Sequence, residues 1–235
     1  MSYTYLLINF FSVIVPLLFT FHSKVEFHKT WAAFFPSAIF SAFVFLVGDS
    51  LYTQMGVWGF NSKYLVGITI INLPLEELLF FFCIPYACMF SYQVFDRLVN
   101  LDNMRILDRY LSIPFILVSA FVSLCYYDRM YTFAAAGGLA LLLVFVRFFY
   151  KAEWLGKFYF IYLVLMIPFM IVNGILTGTG ISEPIVWYND DENMGIRMLT
   201  IPLEDVFYGM TLILLNVLGF EFLKSRFGIH VKKVV

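Results

Sequence analysis

Apolar residues run along this chain in long blocks, separated by short polar and charged interruptions. Seven blocks reach the ~17–25 residues that a helix needs to cross a bilayer. They are residues 3–21, 32–53, 74–95, 110–127, 131–149, 157–178 and 202–222. Pro36, Pro74, Pro114 and Pro202 fall near block starts, where a missing N–H costs nothing. Pro85 and Pro168 fall inside blocks and are expected to kink their helices. The expected fold class is an all-α integral membrane protein with seven transmembrane helices.

Composition agrees. The 235 residues are 62% hydrophobic, 20% aromatic and 13% charged, with a mean hydropathy of +0.86. A soluble domain carries about 25% charged residues. A net charge of −1 and the lack of a large basic patch argue against nucleic acid. Cys83, Cys88 and Cys125 lie in apolar runs without metal-ligand spacing and read as small packing residues. No Lys or Arg precedes the first block and no Ala-x-Ala site follows it, so residues 3–21 read as a retained helix.

Charge orients the helices. Lys24, Lys29, Arg97, Arg105, Arg109, Arg147, Lys151, Lys157, Lys224, Arg226, Lys232 and Lys233 fall on one side. Only Lys63, Arg129 and Arg197 fall on the other. The positive-inside rule then puts the N-terminus outside and the C-terminus in the cytoplasm of a multi-pass cell-membrane protein. Removing one helix would scramble this split.

The chain also repeats itself. Residues 57–77 read VWGFNSKYLVGITIINLPLEE and residues 186–205 read VWYNDDENMGIRMLTIPLED. Asn61, Gly67, Pro74, Leu75 and Glu76 recur 128 positions later as Asn189, Gly195, Pro202, Leu203 and Glu204. Glu77 becomes Asp205, and Trp58 matches Trp187 after one deletion. The same offset carries the first two helices onto the fifth and sixth. The expected organisation is a single membrane domain, residues 1–235, with a first repeat at 1–100, a linker helix within 101–130 and a second repeat at 131–235. The linker restores orientation, so the repeats should be parallel, with Glu76 and Glu204 at one depth.

Pro followed by acids is ordinary helix-start chemistry, favoured by the macrodipole. Two features go beyond it. The preceding segment 64–75, YLVGITIINLPL, is itself apolar. As a helix it rises ~18 Å, over half of a ~30 Å core, and sets Glu76 deep unless it lies flat at the interface. The arrangement also occurs twice, and a carboxylate in the hydrocarbon region signals function by default.

Exclusions narrow the chemistry. Residues 202–222 hold no Lys for a retinal Schiff base. Three histidines, His22, His28 and His230, are too few for a membrane di-iron site and read as solvated. Paired D-x-x-x-D motifs and a G-x-G-x-x-G after a strand are both missing, so neither a prenyl diphosphate–Mg²⁺ site nor a Rossmann cofactor site is expected. Acid–base chemistry by carboxylates among aromatics remains. Trp58, Phe80, Phe81, Phe82, Trp187, Phe207 and Tyr208 are candidates to face a cation. Asn61 and Asn189 either cap loops or touch substrate. Asp49, inside the second helix and matched by Thr177 in the repeat, marks either a pocket wall or a water-lined end.

NLPLEELLFFFCIPYACMFSYQ and TIPLEDVFYGMTLILL resemble the two P-x-E-(E/D) segments of the heterodimer-type lycopene cyclases, which are small, membrane-embedded and non-flavin. In some members the halves are separate chains; here both lie in one. In fungi they are fused to phytoene synthase, which leaves room for contacts with other carotenoid enzymes. The resemblance implies redox-neutral conversion of lycopene, or a related acyclic carotenoid, to β-carotene without a cofactor or metal. The family also contains ε- and γ-ring cyclases, which the motif does not separate. Glu76, Glu77, Glu204 and Asp205 are the expected catalytic carboxyls.

Arg197 lies seven residues before Glu204, where the first repeat has Thr69. On a continuous helix the two would share a face, ~10.5 Å apart in rise. The expectation is therefore that Glu76 with Glu77 donates a proton, and Glu204 with Asp205 stays ionised to take it back, though the roles could be swapped. Two other classes stay open: a proton-coupled carrier, since parallel repeats with central carboxylates suit alternating access, and a non-catalytic assembly protein of a carotenoid pathway. Pigment colour in lycopene-making bacteria discriminates them.

Overall fold

The computed structural model describes residues 3–229; His230, Lys232 and Lys233 lie outside the described residues. Seven α-helices follow the seven apolar blocks to within a few residues: α1 (Thr4–Phe19), α2 (Trp31–Met55), α3 (Leu75–Leu98), α4 (Ile106–Cys125), α5 (Met130–Val144), α6 (Leu155–Leu176) and α7 (Glu204–Arg226). A π-helical turn, Phe145–Tyr150, extends α5. Six of the seven are long and apolar enough to cross a membrane; α1 is shorter, at 16 residues. The acids Glu76 and Glu77 open α3, and Glu204 and Asp205 open α7; Lys224 and Arg226 close α7. Both placements suit the helix dipole.

The bundle is apolar outside and holds polar side chains within a largely apolar core. Phe11, Leu18, Phe43, Leu117, Leu141 and Leu163 are exposed, while Ser37, Ser41, Asp49, Gln93, Ser112 and Asn216 are buried. The apolar outer face fits a lipid surround. At the α2–α7 contact Gly219 lets Ser37 approach closely, and the Ser37 hydroxyl donates to the carbonyl of Asn216 at 2.8 Å.

The repeats are visible as a pseudo-two-fold. Helices α1–α3 and α5–α7 are the copies, with α4 between them. Strand β1 (Trp58–Phe60) pairs antiparallel with β4 (Val186–Tyr188). The N–H of Asn61 donates to Ile185 O at 2.8 Å, and the N–H of Asn189 donates to Val57 O at 2.9 Å. Each residue of one bond is 128 positions from its counterpart in the other, the reciprocity expected of a two-fold. The two loops therefore share one face of the bundle, and α3 and α7 both start there. The copies are parallel.

Two expectations fail here. Residues 64–75 are not helical. They form a short 3₁₀ turn, then a hairpin of β2 (Thr69–Ile70) and β3 (Leu73–Pro74). Residues 197–203 do the same with β5 (Arg197–Met198) and β6 (Ile201–Pro202). Gly67 and Gly195, at φ +93 and +70, turn the chain into each hairpin, and Ile71 and Leu199 adopt φ of 61 and 58 at the tips. Pro74 is the N-cap of α3 and Pro202 lies one residue before the N-cap of α7, so both sit at helix starts as expected, and each also pairs within its hairpin. Pro36 and Pro114 lie inside α2 and α4, at the sixth and ninth helical positions. Pro85 and Pro168 lie inside α3 and α6 as expected.

Candidate active site

Each helix-opening acid pair splits in two directions. The first member of each pair holds its own loop. Glu76 Oε1 accepts the Val66 N–H at 2.6 Å, and Glu204 Oε1 accepts the Met194 N–H at 2.6 Å and the Thr132 hydroxyl at 2.5 Å. Both side chains are fully buried. The second members, Glu77 and Asp205, turn into one cavity of about 640 Å³.

That cavity lies between the repeats. Its wall includes Tyr5 and Ile8 of α1, Asp49 of α2, Glu77 and Phe80 of α3, and Tyr131 of α5. The second repeat adds Asn173 of α6, Tyr188 of β4, and Asp205 and Tyr208 of α7, while Trp58 of β1 closes the loop side. No Lys, Arg or His is among the described residues that line it. The cavity reaches the protein surface between α1 and α6, where Leu7, Phe11 and Ile171 are both lining and exposed. Its size and mostly apolar wall with few convergent polar groups are those of a small-molecule site.

The polar groups form a tyrosine-rich network. Tyr5 OH donates to Glu77 Oε2 at 2.5 Å, and Tyr131 OH donates to Asp205 Oδ1 at 2.5 Å. Asp205 Oδ2 also accepts from Tyr188 OH and from Asn173 Nδ2, both at 3.1 Å. Tyr208 OH donates to Asp49 Oδ1 at 2.5 Å, and Asp49 and Glu77 line the same cavity. Around them Trp58 packs against Tyr131 at 5.0 Å and Tyr208 at 6.2 Å between ring centroids. Tyr131 stacks on Tyr188 at 5.6 Å.

Of the expected site residues, Glu77, Asp205, Trp58, Phe80 and Tyr208 come together at this cavity. The others do not line it. Phe81 packs behind it, against Phe45 and Phe80. Trp187 is exposed and lies against Gly59 on the outer side of the loops. Asn61 and Asn189 cap 3₁₀ turns, each accepting a backbone N–H two residues on at 3.1 Å, so the loop-cap alternative holds for both. Arg197 pairs with Asp190 at 2.5 Å and donates to Thr200 O at 3.0 Å, because its segment folds as a hairpin rather than continuing α7 backwards. Beside the Arg197 guanidinium and the Asn193 amide, the Asp190 carboxyl sits below its ordinary pKa. Asp49 is a cavity-wall residue. Tyr5, Tyr131, Tyr188 and Asn173 were missed by the sequence reading. Tyr5 and Tyr131 are equivalent in role but 126 positions apart, so the 128-residue offset hides their match.

Carboxyls from two repeats converge on one aromatic-lined cavity that opens sideways among helices long and apolar enough to cross a membrane. A model described as lycopene cyclase matches residues 2–95 and 128–223, and the chain belongs to the lycopene cyclase family. The two matched segments are the two repeats, and the gap between them covers the linker helix. Membership supports cyclase activity on carotenoids. No curated protein and no solved structure matches the chain significantly.

Proposed function

We propose that the protein converts the acyclic ends of lycopene to β-rings within the membrane, with Glu77 on the proton-donating side and Asp205 on the proton-accepting side. The observation that carries the reading is that these two carboxyls, one from each repeat, face the same aromatic-lined cavity. A proton adds to the terminal alkene. The tertiary cation is attacked by the next alkene and a six-membered ring closes. Loss of the ring proton at the carbon joined to the polyene restores a conjugated double bond. One proton enters and one leaves, so the reaction needs no oxidant or reductant.

The hydrogen bonds suit this division. Asp205 accepts from three donors, which favours an ionised carboxylate able to take a proton. Glu77 accepts from the Tyr5 hydroxyl, and the buried Asp49 carboxyl lines the same cavity, an arrangement that favours a protonated acid. Trp58, Tyr131 and Tyr208 offer faces or edges to the passing cation, each worth ~0.5–2 kcal/mol where a face is presented. The position of Asp205 relative to the new cation selects which proton leaves, and hence the ring type. The positive-inside rule supports a cytoplasmic C-terminus.

Expression in lycopene-making bacteria tests the reading. Cells should turn from red to orange-yellow, and chromatography should resolve β-carotene. Unchanged lycopene alongside well-inserted protein would overturn it and favour a carrier or assembly role.

A further inference from the structure

Asp49 is the odd carboxyl of an otherwise paired site. Glu77 has its counterpart in Asp205 and Tyr5 has its in Tyr131, but the position equivalent to Asp49 is Thr177. Thr177 also lines the cavity, yet its hydroxyl bonds to Asn173 O at 2.8 Å and to Thr200 Oγ1 at 2.8 Å rather than to Asp205. The second repeat therefore gives its cavity acid an amide partner, Asn173, and the first repeat gives its own a second acid.

Asp49 is 2% exposed and lines the same cavity as the buried Glu77 carboxyl. The titratable oxygens that line the cavity with them belong to Tyr5 from α1, Tyr131 from α5, Tyr162 from α6, Tyr188 from β4, and Tyr208 and Asp205 from α7. All are hydroxyls or a carboxyl; no cation is among the described lining residues. Two buried carboxyls lining one cavity without a lining cation cannot both be ionised cheaply, so they retain one proton between them.

We propose that Asp49 is a third working carboxyl of this site, holding jointly with Glu77 the proton that starts cyclisation. This rests on the cyclase reading above. A proton held between two carboxyls stays loaded across neutral pH. On donation it moves to the terminal alkene and leaves Asp49 and Glu77 both ionised beside the cation they have made. The Tyr208 and Tyr5 hydroxyls, each 2.5 Å from one of these carboxyls, stabilise that doubly ionised state, and its charge stabilises the cation. The departing ring proton goes to Asp205, and exchange with water resets both ends.

Asp49→Asn tests this, because the amide keeps the shape, still accepts from Tyr208 and can donate to Glu77. Purified protein in lipid discs, given lycopene, should lose ~100-fold or more in rate at mildly alkaline pH, the scale of general-acid catalysis. Without its charged neighbour Glu77 should release its proton at lower pH, so the descending limb of the pH–rate profile should move to lower pH. Tyr208→Phe removes a donor to the ionised pair and should move that limb the opposite way. A wild-type rate and profile in Asp49→Asn would overturn the shared proton. Should that variant fail to insert, an unmoved limb in Tyr208→Phe would overturn it. Glu77→Gln separates the layers: inactive Glu77→Gln with normal Asp49→Asn defeats this inference alone, while normal activity in both defeats the cyclase assignment of Glu77 as well.

Discussion

Glu76 and Glu204 make the same bond at corresponding places: each accepts, at 2.6 Å, the backbone N–H of the residue ten positions before it. Each closes its loop onto the first turn of its helix, and neither lines the cavity. The most recognisable acid of each P-x-E-(E/D) motif therefore has a structural task, and its neighbour faces the cavity.

Stability and activity should accordingly separate within each pair. Glu76→Leu leaves the Val66 N–H without its acceptor, which should cost ~1–3 kcal/mol and lower the melting temperature. Glu76→Gln keeps an oxygen acceptor and should retain most of the stability and turnover. Glu77→Gln and Asp205→Asn should melt normally yet form no rings. Thermal denaturation in detergent alongside pigment analysis reads both. A Glu76→Gln variant as inactive as Glu77→Gln would refute the division.

The helices and their duplication were legible because each is a long signal: block length sets a span, and a 128-residue offset repeats over many positions. The hairpins were not. Residues 64–75 are mostly apolar, and Ile71 and Leu199 take a left-handed conformation that such side chains rarely adopt, so the hairpin tips carry no residue that marks them. The motif acids were found, but successive residues on a helix point ~100° apart, and only the docking of the loop decides which member faces inward. Reading residues 197–204 as a helix likewise sent Arg197 toward Glu204, whereas the hairpin turns it to Asp190.

That pair yields a pH test. Asp190 has its carboxyl held below the ordinary value by the Arg197 and Asn193 hydrogen bonds. A value depressed in the folded state adds stability above the unfolded value, ~3.9 for Asp, and that stability disappears as pH falls through the folded value. Wild type should therefore exceed Arg197→Gln in melting temperature at neutral pH, and the gap should close in acid. The side chain of Asp190 is 64% exposed, so the effect should stay below ~1 kcal/mol. A gap that persists in acid would assign the role of Arg197 to its bond with Thr200.

The lateral opening predicts a binding phenotype. Leu7 and Ile171 line the cavity where it meets the protein surface between α1 and α6, on the path from lipid to Glu77. Ile171→Trp should narrow that path without touching the carboxyls. KM for lycopene in lipid discs should rise several-fold, with kcat nearly unchanged. Equal losses in Ile171→Trp and in a substitution at outward-facing Leu117 would remove this route.

Isotope labelling tests the chemistry itself. If the starting proton comes from the exchangeable carboxyls at Glu77 and leaves to Asp205, purified protein in D₂O without flavin or nicotinamide should place one deuterium in each ring formed. Mass spectrometry should find two labels in β-carotene and one in the singly cyclised intermediate. The label enters at the carbon first protonated, so nuclear magnetic resonance should find it at the ring methylene beside the dimethyl carbon. The leaving proton comes from the substrate and carries no label. An unlabelled ring would exclude protonation as the initiating step. A label scattered over several ring positions would mean that the cation persists long enough to lose and regain protons, and would remove Asp205 as a base set at a single position.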